Sequence, residues 1–180
     1  PKFVAQYYKD ENKDFQPISY GELYENVLFF ASGLMSSGCK RGEKIGVIMD
    51  NRPEWMVCTL GALTVGMIDV PRGTDSTVSD LEYILSFADC KIVIAETQNA
   101  FNKILQTKDA CPLLETVIVI NKIDEPDDIK GLHILYYENL MALGKADMQK
   151  NNPESEMLKG KSDDLATIIF TSGTTGLPKG

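Results

Sequence analysis

With 180 residues, 43% of them hydrophobic, the chain can bury a core of domain size, which excludes a disordered segment. Its 18 Lys and Arg against 26 Asp and Glu give a net charge of −8. With no basic cluster to track a phosphate backbone, nucleic acid is excluded as a partner. Four scattered cysteines, Cys39, Cys58, Cys90 and Cys111, and a single histidine, His133, cannot assemble a zinc set and read as buried, reduced thiols of a cytoplasmic protein. The longest apolar run, from Met56 to Ile68, is shorter than the roughly 20 residues of a membrane span.

The elements follow in chain order. Phe3 to Tyr8 and Phe15 to Ile18, joined by the polar Lys9 to Asp14, predict a β-hairpin. Ser19-Tyr-Gly-Glu22 is a capping-box pattern opening a helix with Leu23, Val27, Phe30 and Leu34 on its buried face, ended by Gly38. Lys44 to Met49 reads as a strand. Pro53 suits the first turn of a helix running to Thr64, because its missing N–H would have had no partner there. Gly66 breaks that helix before a strand from Met67 to Val70. Thr77-Val-Ser-Asp80 caps a further helix through Phe87. Lys91 to Ala95 is a strand, Gln98 to Leu105 a helix and Thr116 to Ile120 a strand. Asn121 to Leu132 and Met148 to Asp164 read as long surface connections, the second partly disordered, with a short helix from Tyr137 to Leu143 between them. Leu165 to Phe170 predicts a last buried strand. Val- and Ile-rich strands alternating with amphipathic helices imply an α/β fold: a Rossmann-like, mostly parallel sheet flanked by helices, preceded by the hairpin and lacking GxGxxG.

The last strand leads into "FTSGTTGLPKG", Phe170 to Gly180. Glycines that allow close backbone approach, together with four hydroxyls, can converge N–H groups on an anion, and Lys179 adds a positive charge. The set suits a polyphosphate better than a lone carboxylate. It is not a Walker A loop, because Leu177-Pro178 separates Gly176 from Lys179 and no hydroxyl follows the lysine.

The string resembles the signature loop of the adenylate-forming, AMP-binding superfamily. "ISYGELYENV" from Ile18, "NRPEW" from Asn51 and "DVPRGTDSTVSDLEYIL" from Asp69 look like its long-chain fatty acyl-CoA synthetase branch. The resemblance implies that residues 1–180 are an incomplete N-terminal, AMP-binding domain, cut after the phosphate-binding loop 170–180. The parent would be an ATP-dependent long-chain fatty acid–CoA ligase, with Mg²⁺ and coenzyme A as its further cofactors. By the same resemblance, Thr171, Ser172, Gly173, Thr174, Thr175, Gly176 and Lys179 would bind the pyrophosphate of ATP. The magnesium-binding glutamate and catalytic lysine would lie past Gly180, so the fragment alone is expected to be inactive and its unliganded loop weakly ordered. Fatty acid and CoA are the implied partners, with room for peripheral membrane association and for a homodimer. An acyl-carrier-protein ligase, another carboxylate-adenylating enzyme and a non-catalytic nucleotide-binding module are the alternatives.

Other candidates have plainer readings. Asn51 to Trp55, with its charge pair, reads as a strand-to-helix turn with Trp55 in the core. Arg72 to Asp75 reads as a turn into a capped helix, His133 as a solvated or edge-strand residue, and Asp124 to Asp128 as a solvated loop.

Overall fold

Two local signals written in the sequence set the ends of the first helices in a computed structural model, which describes residues 2–171 and 179–180. A hairpin of β1 (Val4–Lys9) and β2 (Phe15–Ser19) runs into α1 (Tyr20–Ser36). There Ser19 Oγ accepts from Glu22 N–H at 3.2 Å, and Glu22 Oε2 accepts from Ser19 N–H at 2.8 Å. After β3 (Lys44–Ile48), α2 (Pro53–Thr64) and β4 (Ile68–Arg72), Thr77 and Asp80 form the same reciprocal pair at the start of α3 (Val78–Phe87). The chain continues through β5 (Cys90–Ala95), α4 (Gln98–Thr107), β6 (Thr116–Val119), β7 (His133–Tyr136), α5 (Tyr137–Asn151) and α6 (Pro153–Met157).

The main sheet has the order β4-β3-β5-β6-β7, parallel throughout. Alternation along each strand divides its apolar residues between two cores. Ile45, Val47, Ile92, Ile94 and Ile118 pack under α1, α2 and α5. Ile48, Val70, Val93, Val117 and Val119 pack under α3 and α4. The doubly wound α/β arrangement agrees with expectation. Its chain reverses lateral direction at β3, with β4 on one side and β5 on the other, and such a reversal opens a crevice at the carboxyl ends of the strands.

Three expectations need correction. Met148 to Asp164 is not a structureless connection. The helix begun at Tyr137 runs on to Asn151, because its polar residues have partners on α1: Asn151 Nδ2 donates to Ser32 O at 2.9 Å and to Ser36 Oγ at 2.7 Å, and Ser36 Oγ donates to Asp147 at 2.6 Å. Asn152, at φ 46°, ends α5 in the left-handed region, and its side chain caps α6. A short edge strand, β7, joins the sheet where the sequence predicts none, although His133 does sit exposed at an edge.

Leu165 to Phe170 does not form a buried strand. Ile68 and Arg72 of β4 bond inward to β3, and Asp69 bonds outward, its N–H donating to Ala166 O at 3.2 Å and its carbonyl accepting from Ile168 N–H at 2.9 Å. The next outward donor would be residue 71, which is proline and has no N–H. Pairing therefore stops at the single bridge Asp69–Thr167, and Leu165 and Ile169 remain exposed.

Candidate phosphate-binding site

Phe170 is the last buried residue before the loop. Its ring stands edge-on to Tyr83 and Phe87 of α3, with centroids 6.3 and 5.7 Å away, an arrangement favoured by the aromatic quadrupole. The chain is thus fixed on the sheet one residue before the hydroxyl-rich string begins.

Thr171 and Lys179 then close the string. Thr171 N–H donates to Lys179 O at 2.9 Å, and Lys179 N–H donates to Thr171 O at 3.0 Å. This antiparallel pair brings the lysine back beside the threonine, and Gly180 beyond it rests against the Phe170 ring, where a Cβ would come within 2.8 Å. Of the seven residues assigned to the site, the structure brings Thr171 and Lys179 together. Ser172, Gly173, Thr174, Thr175 and Gly176 lie outside the described residues, as does the expected weak order of the loop.

A neighbouring turn carries a residue that the sequence reading weighs and sets aside as part of a turn. Arg72, ending β4, donates from Nη1 to Phe170 O at 3.4 Å. The turn after it is held on two sides. Asp50, following β3, accepts from Thr74 N–H at 3.0 Å and Thr74 Oγ1 at 2.6 Å, and these bonds hold its carboxyl below the usual range. Lys103 of α4 donates to Thr74 O and Ser76 O at 2.9 and 2.7 Å. The signal that could have found Arg72 is a cation at the carboxyl end of a parallel strand, where ligands gather.

Asn51 to Trp55 behaves as its plainer reading predicts. Arg52 grips Glu54 through Nε and Nη2 at 2.8 and 3.1 Å, and its Nη1 reaches Glu96 at 3.3 Å and Asn121 at 3.1 Å. Burial pushes the Glu54 carboxyl up, but the Arg52 bonds outweigh it and the net shift is downward. Trp55 is only half-buried against the core. The adjoining cleft, about 1000 Å³, is lined by Asp10, Glu22, Glu54, Glu96 and Glu138 among others. These carboxylates outnumber the lining cations Lys9 and Arg52 and disfavour a phosphate in this cleft.

Thiol chemistry finds no support in the fold. Burial pushes Cys39 and Cys90 up to about 12, Cys58 well above the ordinary thiol value and Cys111 upward as well, which disfavours a thiolate nucleophile at neutral pH. Among the described residues no cluster of three His, Cys, Asp or Glu side chains could hold a metal ion.

The profile of the family described as AMP-binding enzyme matches residues 1–180. The chain belongs to that family. This AMP-binding family member is 31% identical to long-chain-fatty-acid–CoA ligase 5 of Rattus norvegicus, over 96% of its own length and 26% of the relative's. It is 29% identical to a chloroplastic long-chain-fatty-acid–acyl-carrier-protein ligase of Arabidopsis thaliana, over 91% of its length and 23% of the relative's. The chain therefore spans about a quarter of the length of these relatives. Among solved structures, the anthranilate CoA ligase AuaEII in complex with anthranoyl-AMP superposes with a TM-score of 0.73 at 21% identity, covering 91% of this chain and 29% of that one. The A-PCP didomain of the carboxylic acid reductase from Segniliparus rugosus, in complex with AMP, gives 0.73 at 20% identity, covering 98% and 28%. At these identities the likeness establishes a shared fold.

Proposed function

We propose that the full protein is an ATP-dependent long-chain fatty acid–CoA ligase of which residues 1–180 form the N-terminal part of the AMP-binding domain. The observation that supports this is the Thr171–Lys179 backbone pair, which brings the lysine near the end of the string beside the threonine at its start. The long-chain specificity rests on the names of the relatives.

In the first step a carboxylate oxygen of the fatty acid attacks the α-phosphorus of ATP. The bond to the bridging oxygen breaks, and pyrophosphate leaves with the negative charge. Thr171 stands at the start of the loop that would receive this charge, with Ser172, Gly173, Thr174, Thr175 and Gly176 as further donors, and Lys179 would offset it. Fixed donors aimed at developing charge lower the barrier without reorganisation. In the second step the thiol of coenzyme A attacks the acyl carbon, and AMP departs. Mg²⁺, with the glutamate implied past Gly180 as its protein ligand, would screen charge on the phosphate oxygens. On their own, residues 1–180 would not catalyse the exchange. The free cysteines favour a cytoplasmic location. No described helix is long and apolar enough to cross a membrane.

The experiment is ATP–pyrophosphate exchange by the full-length protein with carboxylic acids of graded chain length. Exchange should require a long-chain acid, and its absence with every such acid sinks the assignment. Transfer to an acyl carrier protein is the second reading, favoured by the Arabidopsis relative. Supplying coenzyme A and the carrier protein separately as acceptors decides between them.

A further inference from the structure

Arg72 is held in place by its backbone and left unsatisfied at its side chain. It lies in register with Ile48, and its carbonyl accepts from Met49 N–H at 3.0 Å. From there the guanidinium crosses to the segment before the loop and touches Phe170 O. Its Nε is buried and has no hydrogen-bond partner among the described residues. None of the ion pairs among the described residues involves Arg72, and the carboxylates around the turn have other hydrogen-bond partners or are exposed. Asp50 is taken by Thr74, Asp80 by Thr77, and Asp75 is exposed. The Arg72 charge still reaches the Asp80 carboxyl and helps to lower it, after the larger effect of Thr77.

A buried guanidinium N–H without an acceptor is costly, and the cost falls when an anion or carbonyl arrives to accept it. The guanidinium fork matches phosphate oxygens and carbonyls better than an ammonium does. Lys103 adds a second charge on the same turn, bonded only to the carbonyls of Thr74 and Ser76 among the described residues. Arg72 and Lys103 thus bring two positive charges to the turn beside the loop, in a chain of net charge −8, although the Asp50 and Asp75 carboxylates share that turn.

We propose that Arg72 is a positioning residue of the phosphate loop: it holds the Phe170 carbonyl, and with it the direction in which the chain leaves the sheet, while its charge favours bound polyphosphate. This rests on the ATP-dependent reading above. Arg72 acts through Phe170 and through the field it sets up, and the chemistry stays with the loop.

The test is exchange kinetics of the full-length protein, unaltered and as R72K, R72Q and R72A. R72Q keeps an N–H donor for Phe170 O but no charge, and R72K keeps the charge. Removing the charge should raise the KM for MgATP about tenfold, through the lost favourable field at the phosphates. R72K should stay within about threefold, and the KM for the carboxylic acid within about twofold in every variant. An unchanged KM for MgATP in R72Q and R72A overturns the proposal. So does a parallel rise in both KM values with a lowered melting temperature, which is how a purely structural residue behaves. Should R72A fail to fold, R72K against R72Q makes the same distinction. No exchange by the unaltered protein overturns the ATP-dependent reading and this inference with it, whereas normal exchange with indifferent variants overturns the role of Arg72 alone.

Discussion

Thr171 and Lys179 are joined by two backbone hydrogen bonds, at 2.9 and 3.0 Å, so the neck of the loop does not depend on the lysine side chain. The charge at Lys179 and the architecture at Lys179 are separable.

Lys179→Ala should accordingly leave the neck intact and remove only the cation. The expected result is an unchanged melting temperature and a KM for MgATP raised about tenfold in pyrophosphate exchange, as for one lost charge-assisted contact. Lys179→Pro, which deletes the N–H that bonds Thr171, should lose both. An equally raised KM in the two variants, with equal melting temperatures, would mean that the charge, and not the neck, matters.

Asp69 faces outward from β4 with a buried carboxyl whose Oδ1 has no partner among the described residues. Burial raises its pKa from 3.8 against the opposing pull of Thr167. The folded state therefore holds this proton more tightly than the unfolded chain does. Its stabilising contribution is full below 3.8 and is lost as pH rises through the higher folded value. Asp69→Asn, which mimics the protonated form, should stabilise the protein by about 1 kcal/mol at pH 7. That gain should shrink toward pH 4 in urea-midpoint measurements. A gain that does not vary with pH would show that the carboxyl charge is not the cause.

Gly144 of α5 lies against the carbonyl of Phe29 on α1, and a Cβ there would overlap that oxygen and crowd Gly33 N at 2.6 Å. The obstacle is backbone, which cannot step aside as a side chain can. Gly144→Ala should cost about 1–3 kcal/mol, despite the better helix propensity of alanine, and thermal unfolding followed by circular dichroism will read it. A rise in melting temperature would show that the helices can separate freely.

Arg52 ties the start of α2 to the ends of β5 and β6 through Glu54, Glu96 and Asn121. Arg52→Ala should lower stability by about 1–2 kcal/mol, because two partly buried carboxylates lose their partner. Arg52→Lys should restore only part, since an ammonium cannot make the bidentate bond. The KM for MgATP should not move. A selective rise in that KM would promote Arg52 from the scaffold to the site.

Local rules were readable from the chain, and contacts between distant residues were not. Ser19 with Glu22 and Thr77 with Asp80 act within one turn, so both helix starts stood in plain view. The second half of α5 did not, because its contacts run through Asn151, Asp147 and Gly144, residue types that apolar periodicity ignores. Leu165 and Ile169 read as buried from composition, yet their pairing was decided by a proline far back in the chain. The candidate site divides in the same way. The terminal string announced itself, and Thr171 and Lys179 close it. Arg72 came within reach only when the fold set it beside Phe170, 98 residues further along.

Pro71 has one more effect. A full ladder would fasten the strip from Leu165 to Phe170 to the sheet like a zip, and the missing N–H leaves a rivet at Asp69. Two backbone hydrogen bonds, at about 1 kcal/mol each, are far less than the cost of opening the sheet itself. How firmly the loop is tethered is therefore governed less by the strands than by the aromatic clasp that Tyr83 and Phe87 close on Phe170.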